Sequence, residues 1–202
     1  MAEHWIFDGH IAGIGAASGL RAVVGIWQAS PFGAFADVMV QTDTGHRLLL
    51  APSAEVGKFV AATYSFDEVR IVDVAAGLDG RRLSVAAGPL SIEATVGART
   101  VVGLGLRTVP RRLAVHPAWL RTISPLAALL SPGAKTHGTA GNGRQESYGV
   151  TDLHRITGAR VSWGGSDQGP LVPIRPAVTF GFSSVPARPS LATVRTTIVS
   201  VD

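Results

Sequence analysis

Apolar and polar residues alternate along most of this chain in short runs that stop at Gly, Pro or Asp. That is the period-two pattern of strands joined by tight turns. Leu90, Ile92, Ala94 and Val96 alternate with Ser91, Glu93 and Thr95, which predicts a strand with one wet face. The same reading predicts strands over 5–12 and 22–27, and a hairpin in which 35–41 turns at Asp43-Thr44-Gly45 and returns over 47–50. Strands are also expected over 69–74, over 83–86 after the Asp79-Gly80 turn, and over 100–104 after Gly97-Ala98. Farther on, 146–156 reads as a long strand with 159–163 as its hairpin partner, followed by strands over 178–182 and 193–199.

Two stretches break the alternation. Val56, Phe59, Val60 and Thr63 recur at helical spacing behind Ser53, a side chain able to cap a first turn, with Glu55 at the positive end of the dipole. Over 110–132, Leu113, Trp119, Leu120, Leu126, Leu129 and Leu130 supply apolar contacts, and Pro117 and Pro125 each predict the start of a short helix. The sum is ten to twelve strands and two or three helical pieces in one mainly β domain, residues 1–202. An antiparallel β-barrel, lipocalin-like or similarly closed, is the expected architecture, because closure removes sheet edges. A two-layer sandwich is the alternative.

Composition fits that picture. Of 202 residues, 46% are hydrophobic and 16% charged, enough apolar material for a sizeable core, and 24 glycines with 12 prolines supply many turns. The absence of cysteine excludes disulfides, thiol nucleophiles and thiolate metal sites. No apolar run reaches the roughly 18 residues of a membrane span, and no basic-then-apolar leader opens the chain, so the expected location is cytoplasmic.

Charge is uneven. Residues 1–102 hold 7 Lys/Arg against 10 Asp/Glu, and residues 103–202 hold 11 against 4. Arg107, Arg111, Arg112 and Arg121 make the densest basic stretch, which reads as a solvated face or as an interaction segment over 107–121. Aromatics do not interleave with it, so no nucleic-acid partner is expected. A homo-oligomer is left open.

Most motif-like features dissolve on inspection. Gly13, Gly15 and Gly19 precede strand-forming residues where a dinucleotide loop needs a helix. Lys135 follows Ala134 where a phosphate loop needs glycine, and it would serve as a Schiff-base amine only if desolvated. Asp8 and His10 share a strand face with His4 upstream, but four ligands cannot be assembled from their spacing. No metal and no cofactor are expected.

The strongest chemical signal lies in 144–155. On one uninterrupted strand Arg144, Glu146, Tyr148, Asp152 and His154 share a face. Arg144 suits an anionic group, Tyr148 is a proton donor, and Glu146 or Asp152 beside His154 is an acid–base pair. Pointed into a barrel, the row would be a polar strip in an apolar cavity, with His137 and Asn142 at its mouth. The opposite face of the strand is almost equally polar, and a bulge at Gly149 would split the row. The loop from Trp163 to Pro170 is a long polar turn or a lid.

The segments 7–13, 30–39 and 141–149 together resemble a family of uncharacterised actinobacterial proteins, a resemblance spanning most of the chain that implies a cytoplasmic setting and no particular activity. Three functions follow. The first is binding of a small apolar ligand in a barrel cavity, anchored by Arg144, Glu146, Tyr148 and His154. The second is isomerase, hydratase or lyase chemistry, with Glu146, Tyr148, Asp152 and His154 as catalytic candidates. The third is an interaction module using the Arg-rich segment.

Overall fold

The computed structural model describes residues 3–116, 118–122, 136–141 and 143–200. It is mainly β. The chain opens with β1 (His4–Ala16), β2 (Arg21–Ala29), β3 (Phe35–Gln41) and β4 (Arg47–Ala51), then α1 (Ala54–Thr63). The strands β5 (Glu68–Ile71), β6 (Val74–Asp79), β7 (Arg82–Ala87) and β8 (Leu90–Arg99) follow, and then α2 (Val101–Leu106) and α3 (Arg111–Ala114). After β9 (His137–Thr139) comes the long β10 (Arg144–Trp163), then β11 (Ser166–Asp167), β12 (Leu171–Val172) and β13 (Ser190–Ser200).

All thirteen described strands belong to one sheet, along the path β5-β4-β3-β2-β1-β13-β10-β8-β7-β6, with β9, β11 and β12 paired at its side. Neighbours are antiparallel except β4 and β5, which α1 joins as a parallel crossover. The sheet curls until β6 lies beside β3, but no ladder joins the two end strands among the described residues. The expected closed barrel is therefore corrected to a strongly curled open sheet, and the sandwich to a single sheet. Edge protection comes by other means: β5 is four residues long and carries Glu68 and Arg70, which pair with each other at 2.6 Å.

The inner face of the curl is filled. Ile14, Val24, Val38 and Leu50 from the first strands meet Leu83, Val85, Ile92 and Val161 from the far side, all essentially buried. Burial of each such side chain stabilises the fold by roughly 1.5–3 kcal/mol. The outer face of β1, β2, β3, β10 and β13 is covered by other parts of the chain. Helix α1 covers one end, packing Val56 and Val60 with Leu49 of β4, beside an aromatic group in which Phe7, Phe32, Phe35 and Phe59 meet. Residues 173–189 cover the middle through Ile174, Val178 and Phe180.

Four elements differ from the sequence expectations. Residues 101–106 are helical, because the Thr100 hydroxyl caps the Gly103 N–H at 2.9 Å and donates to the Leu153 carbonyl at 3.1 Å. That cap outweighs the β preference of Val101 and Val102. The predicted hairpin of 146–156 with 159–163 is instead one strand of 20 residues, bent by register shifts around Ile156. The strand expected over 69–74 is split at Val72-Asp73 between β5 and β6. Residues 178–182 form no strand; they lie in a covering segment that carries Pro173, Pro176, Pro186 and Pro189 on either side and is tied down by single bonds. Arg21 donates to the Pro176 carbonyl at 3.1 Å, Gln41 and Thr179 exchange two bonds of 3.0 Å, and Ser65 N–H donates to Phe180 at 2.7 Å. The helix expected near Pro125 lies outside the described residues. No described helix is long and apolar enough to cross a membrane.

Candidate functional site

Between the outer sheet face and its cover lies a cavity of about 900 Å³. Ile11, Val23, Met39, Val150, Ala192 and Val194 form its sheet wall, α2 contributes Val101 and Leu106, and Val178, Phe180 and Val185 form its cover. The cavity therefore sits on the opposite side of the sheet from the barrel interior in which the sequence placed it. A space of this size and apolarity is typical of small-molecule sites.

The polar groups reaching it are few. Tyr64, which caps the C-terminus of α1, and Tyr148 of β10 line the cavity, their hydroxyls 3.0 Å apart. The Tyr64 hydroxyl also donates to Oε1 of Glu146, which is fully buried behind them. Among the described residues, Oε2 of Glu146 has no hydrogen-bond partner. Loss of solvent pushes the Glu146 carboxyl up to about 7, against the smaller opposing effect of the tyrosine hydroxyls. Burial, with the carboxylate nearby, likewise pushes both phenols well above their ordinary value. The chain holds only these two tyrosines, and both are at this spot.

A second buried carboxyl faces the same space. Asp37 of β3 lines the cavity and accepts from Trp27 Nε1 at 2.9 Å. Its burial raises it to about 7, again against that hydrogen bond. Gly25, paired with Asp37 across the ladder, makes room for both: a Cβ there would press on the Asp37 carboxyl and come within 2.6 Å of Trp27 Nε1.

The row read from 144–154 is divided by a bulge. Val150 pairs with Val194 and Asp152 with Thr193, so Thr151 is the extra residue and the side-chain phase reverses there. Glu146 and Tyr148 stay on the cavity side with Val150, and beyond the bulge Leu153 and Arg155 line the cavity instead. Asp152 and His154 turn to the other face. Asp152 accepts from Arg99 Nε at 2.7 and 3.0 Å, and His154 lies 3.5 Å from Asp152 with Nδ1 3.2 Å from the Gly97 carbonyl. The structure thus brings together Glu146 and Tyr148, and places Asp152 and His154 in a separate ion-pair group.

Arg144 shares the side of Glu146 but serves the helix. It donates to the Phe59 carbonyl at 3.1 Å and to Thr63 Oγ1 at 2.5 Å, and its guanidinium lies over Phe59 and Trp5 at 4.5 and 4.9 Å. These contacts dock the end of α1 and thereby place Tyr64. Its Nη1 is thus directed at the helix, away from the Tyr64–Glu146–Tyr148 hydrogen bonds.

Of the other sequence candidates, Asp8 is held by Arg195 at 2.8 and 2.7 Å, with Arg111 3.6 Å away, and burial lowers the His10 pKa. No cluster of three or more metal-type side chains occurs among the described residues. His137 lies on β9, 2.9 Å from Ser147 Oγ, while Lys135 and Asn142 lie outside the described residues. The glycine-rich stretch 13–19 leads into strand β2. Asp37, Trp27 and Tyr64 were not singled out from sequence. An acid in the middle of the apolar strand 35–41 was the available signal for Asp37; Tyr64 carried none.

No family model matches the chain. No curated protein matches it. Among solved structures, the chain is similar to an acetoacetate decarboxylase from Legionella pneumophila, at 9% identity and a TM-score of 0.48 over 99% of this chain and 88% of that one. A second acetoacetate decarboxylase structure gives 9% identity and a TM-score of 0.40 over 98% and 87%. Likeness at these values carries no residue roles across, and function rests on the geometry.

Proposed function

We propose that this protein binds a small, largely apolar molecule in the outer-face cavity, with the Tyr64–Glu146–Tyr148 group as its polar anchor. The observation that carries this reading is a fully buried carboxyl, joined to two phenols that line an apolar cavity of about 900 Å³. A buried carboxyl and two buried hydroxyls are costly to maintain unless they meet partners.

The direct test is titration with Nile red, a neutral apolar dye whose emission shifts on leaving water. Saturable one-to-one binding is expected. Ala192→Trp, which fills the cavity from β13, should weaken it by at least about tenfold, or roughly 1.4 kcal/mol, while leaving the fold intact. Absence of saturable binding, or binding indifferent to Ala192→Trp, contradicts the reading.

A second reading, acid–base catalysis at the same place, is favoured by one observation. Glu146 is pushed up to about 7 and connects through Tyr64 to Tyr148, so a proton can pass between a carboxyl poised at neutral pH and a hydroxyl that faces the cavity. Isotope-edited titration of the Glu146 carboxyl tests it: a midpoint in the ordinary range near 4.5 removes the support.

A further inference from the structure

We infer that the occupant of this cavity is an amphipathic anion, an apolar body carrying one carboxylate or phosphate head, with the head held at the cavity mouth by Arg155 and Arg188 and assisted by Arg175. The inference rests on the binding reading above and adds the chemical class of the ligand.

All three arginines line the cavity and are exposed. The backbone brings them to the same end of it. Arg155 is the ladder partner of Ser190, and the Ile156 N–H donates to Pro189 at 3.0 Å, which sets β10 beside the 188–190 strand entry. The Ile174 N–H donates to Ala187 at 2.8 Å, which brings the start of the covering segment alongside.

None of the three has a carboxylate or hydrogen-bond partner among the described residues. Arg107, Arg112, Arg121 and Arg160 likewise hold no carboxylate among the described residues, but they do not line the cavity. Arg47, Arg70, Arg82, Arg99 and Arg195 each hold an acid within 3 Å, and Arg21 and Arg144 donate to carbonyl and hydroxyl oxygens. The charge imbalance of residues 103–202 is thus concentrated, in part, at one cavity mouth.

The acids nearby cannot neutralise them. Among the described residues Asp37 is the one carboxyl lining the cavity, and it is buried and committed to Trp27. Glu146 is buried behind the tyrosines. Unpaired guanidinium groups bordering a low-dielectric space attract an anion more strongly than the same groups on open surface, and their fork geometry suits carboxylate and phosphate. The walls between mouth and tyrosines are aliphatic and aromatic, which suits an extended apolar body.

The experiment is displacement of Nile red by two matched series, straight-chain carboxylates and straight-chain alcohols of eight to fourteen carbons, with dodecyl phosphate added as a second head. Carboxylates and phosphate should compete at least about tenfold better than alcohols of equal length, and the advantage should shrink with added salt. The double variant Arg155→Gln/Arg188→Gln should keep its affinity for Nile red and for the alcohols while losing the preference for anions. Both residues are exposed, so folding is not at stake. Alcohols competing as well as carboxylates on the unaltered protein overturn the inference and leave the cavity reading standing. Absence of Nile red binding overturns both.

Discussion

Tyr148 and Asp152 are four residues apart on one strand and point to opposite faces of the sheet, because Thr151 is inserted between the pairs Val150–Val194 and Asp152–Thr193. Even spacing on a regular strand would place them on the same face. This one-residue bulge separates a hydroxyl–carboxyl group facing a cavity from a carboxylate–imidazole pair tied to Arg99, and assigns the two halves of one sequence motif to different work.

The separation makes His154 dispensable for binding. His154→Ala is expected to leave Nile red affinity within about twofold, or roughly 0.4 kcal/mol, whereas Tyr148→Phe should alter the binding of ligands that bear a hydroxyl or carbonyl. Equilibrium titration of the two variants side by side checks this. A loss on His154→Ala equal to that on Tyr148→Phe would mean the two residues act together.

Removing the Tyr64 hydroxyl should cost stability. Tyr64→Phe strips Glu146 Oε1 of its donor inside the protein, and a buried acceptor left unpaired costs about 1–3 kcal/mol. Urea denaturation near pH 8, where the carboxyl is ionised, should show the larger loss; near pH 5, where it is protonated, a smaller one.

Stability should fall as pH rises toward neutrality. Glu146 and Asp37 are both raised to about 7 in the folded protein, from ordinary values of 4.5 and 3.8. Between the ordinary value and about 7 the folded state holds more protons than the unfolded chain, so the free energy of unfolding decreases with pH through that window and levels off above it. The lowered carboxylates, Asp67, Glu68 and Asp152, act in the opposite sense and at lower pH, where their pairing with arginine is lost. Glu146→Gln and Asp37→Asn should each flatten the decline between pH 5 and 7. A slope unchanged in both variants contradicts the assignment.

Gly25→Ala should damage the second polar point without touching the first. The new methyl would press on Asp37 and Trp27 Nε1, which break their hydrogen bond or shift the strand, at an expected cost of about 1–3 kcal/mol. Indole N–H exchange at Trp27 should accelerate. Exchange as slow as in the unaltered protein would show that the bond survives.

Much of this was legible in the sequence. The mainly β character, the hairpin at Asp43-Thr44-Gly45, the cap of α1 by Ser53 and the 82–99 ladder follow from period and turn chemistry, and the structure has each of them. What was not legible is where the phase of β10 changes. A bulge adds one residue with no compositional mark; Thr151 is an ordinary β former, and the glycine at 149 was the more obvious suspect. The cavity side was hidden for a related reason: both faces of 144–155 carry polar residues, so the strand does not declare its core. Tyr64 reaches the site where Arg144 docks the end of α1 against the sheet, a contact between residues 81 positions apart.

The most direct measurement uses the fact that both tyrosines of the chain lie at the site. With tyrosine labelled at Cζ, the carbon spectrum holds two signals, from Tyr64 and Tyr148. We expect both to shift with a common midpoint as Nile red is added, and both to follow a titration near pH 7 in the free protein that Glu146→Gln abolishes. If the dye binds while both signals stay fixed, its site is elsewhere, and the Tyr64–Glu146–Tyr148 group is part of the packing alone.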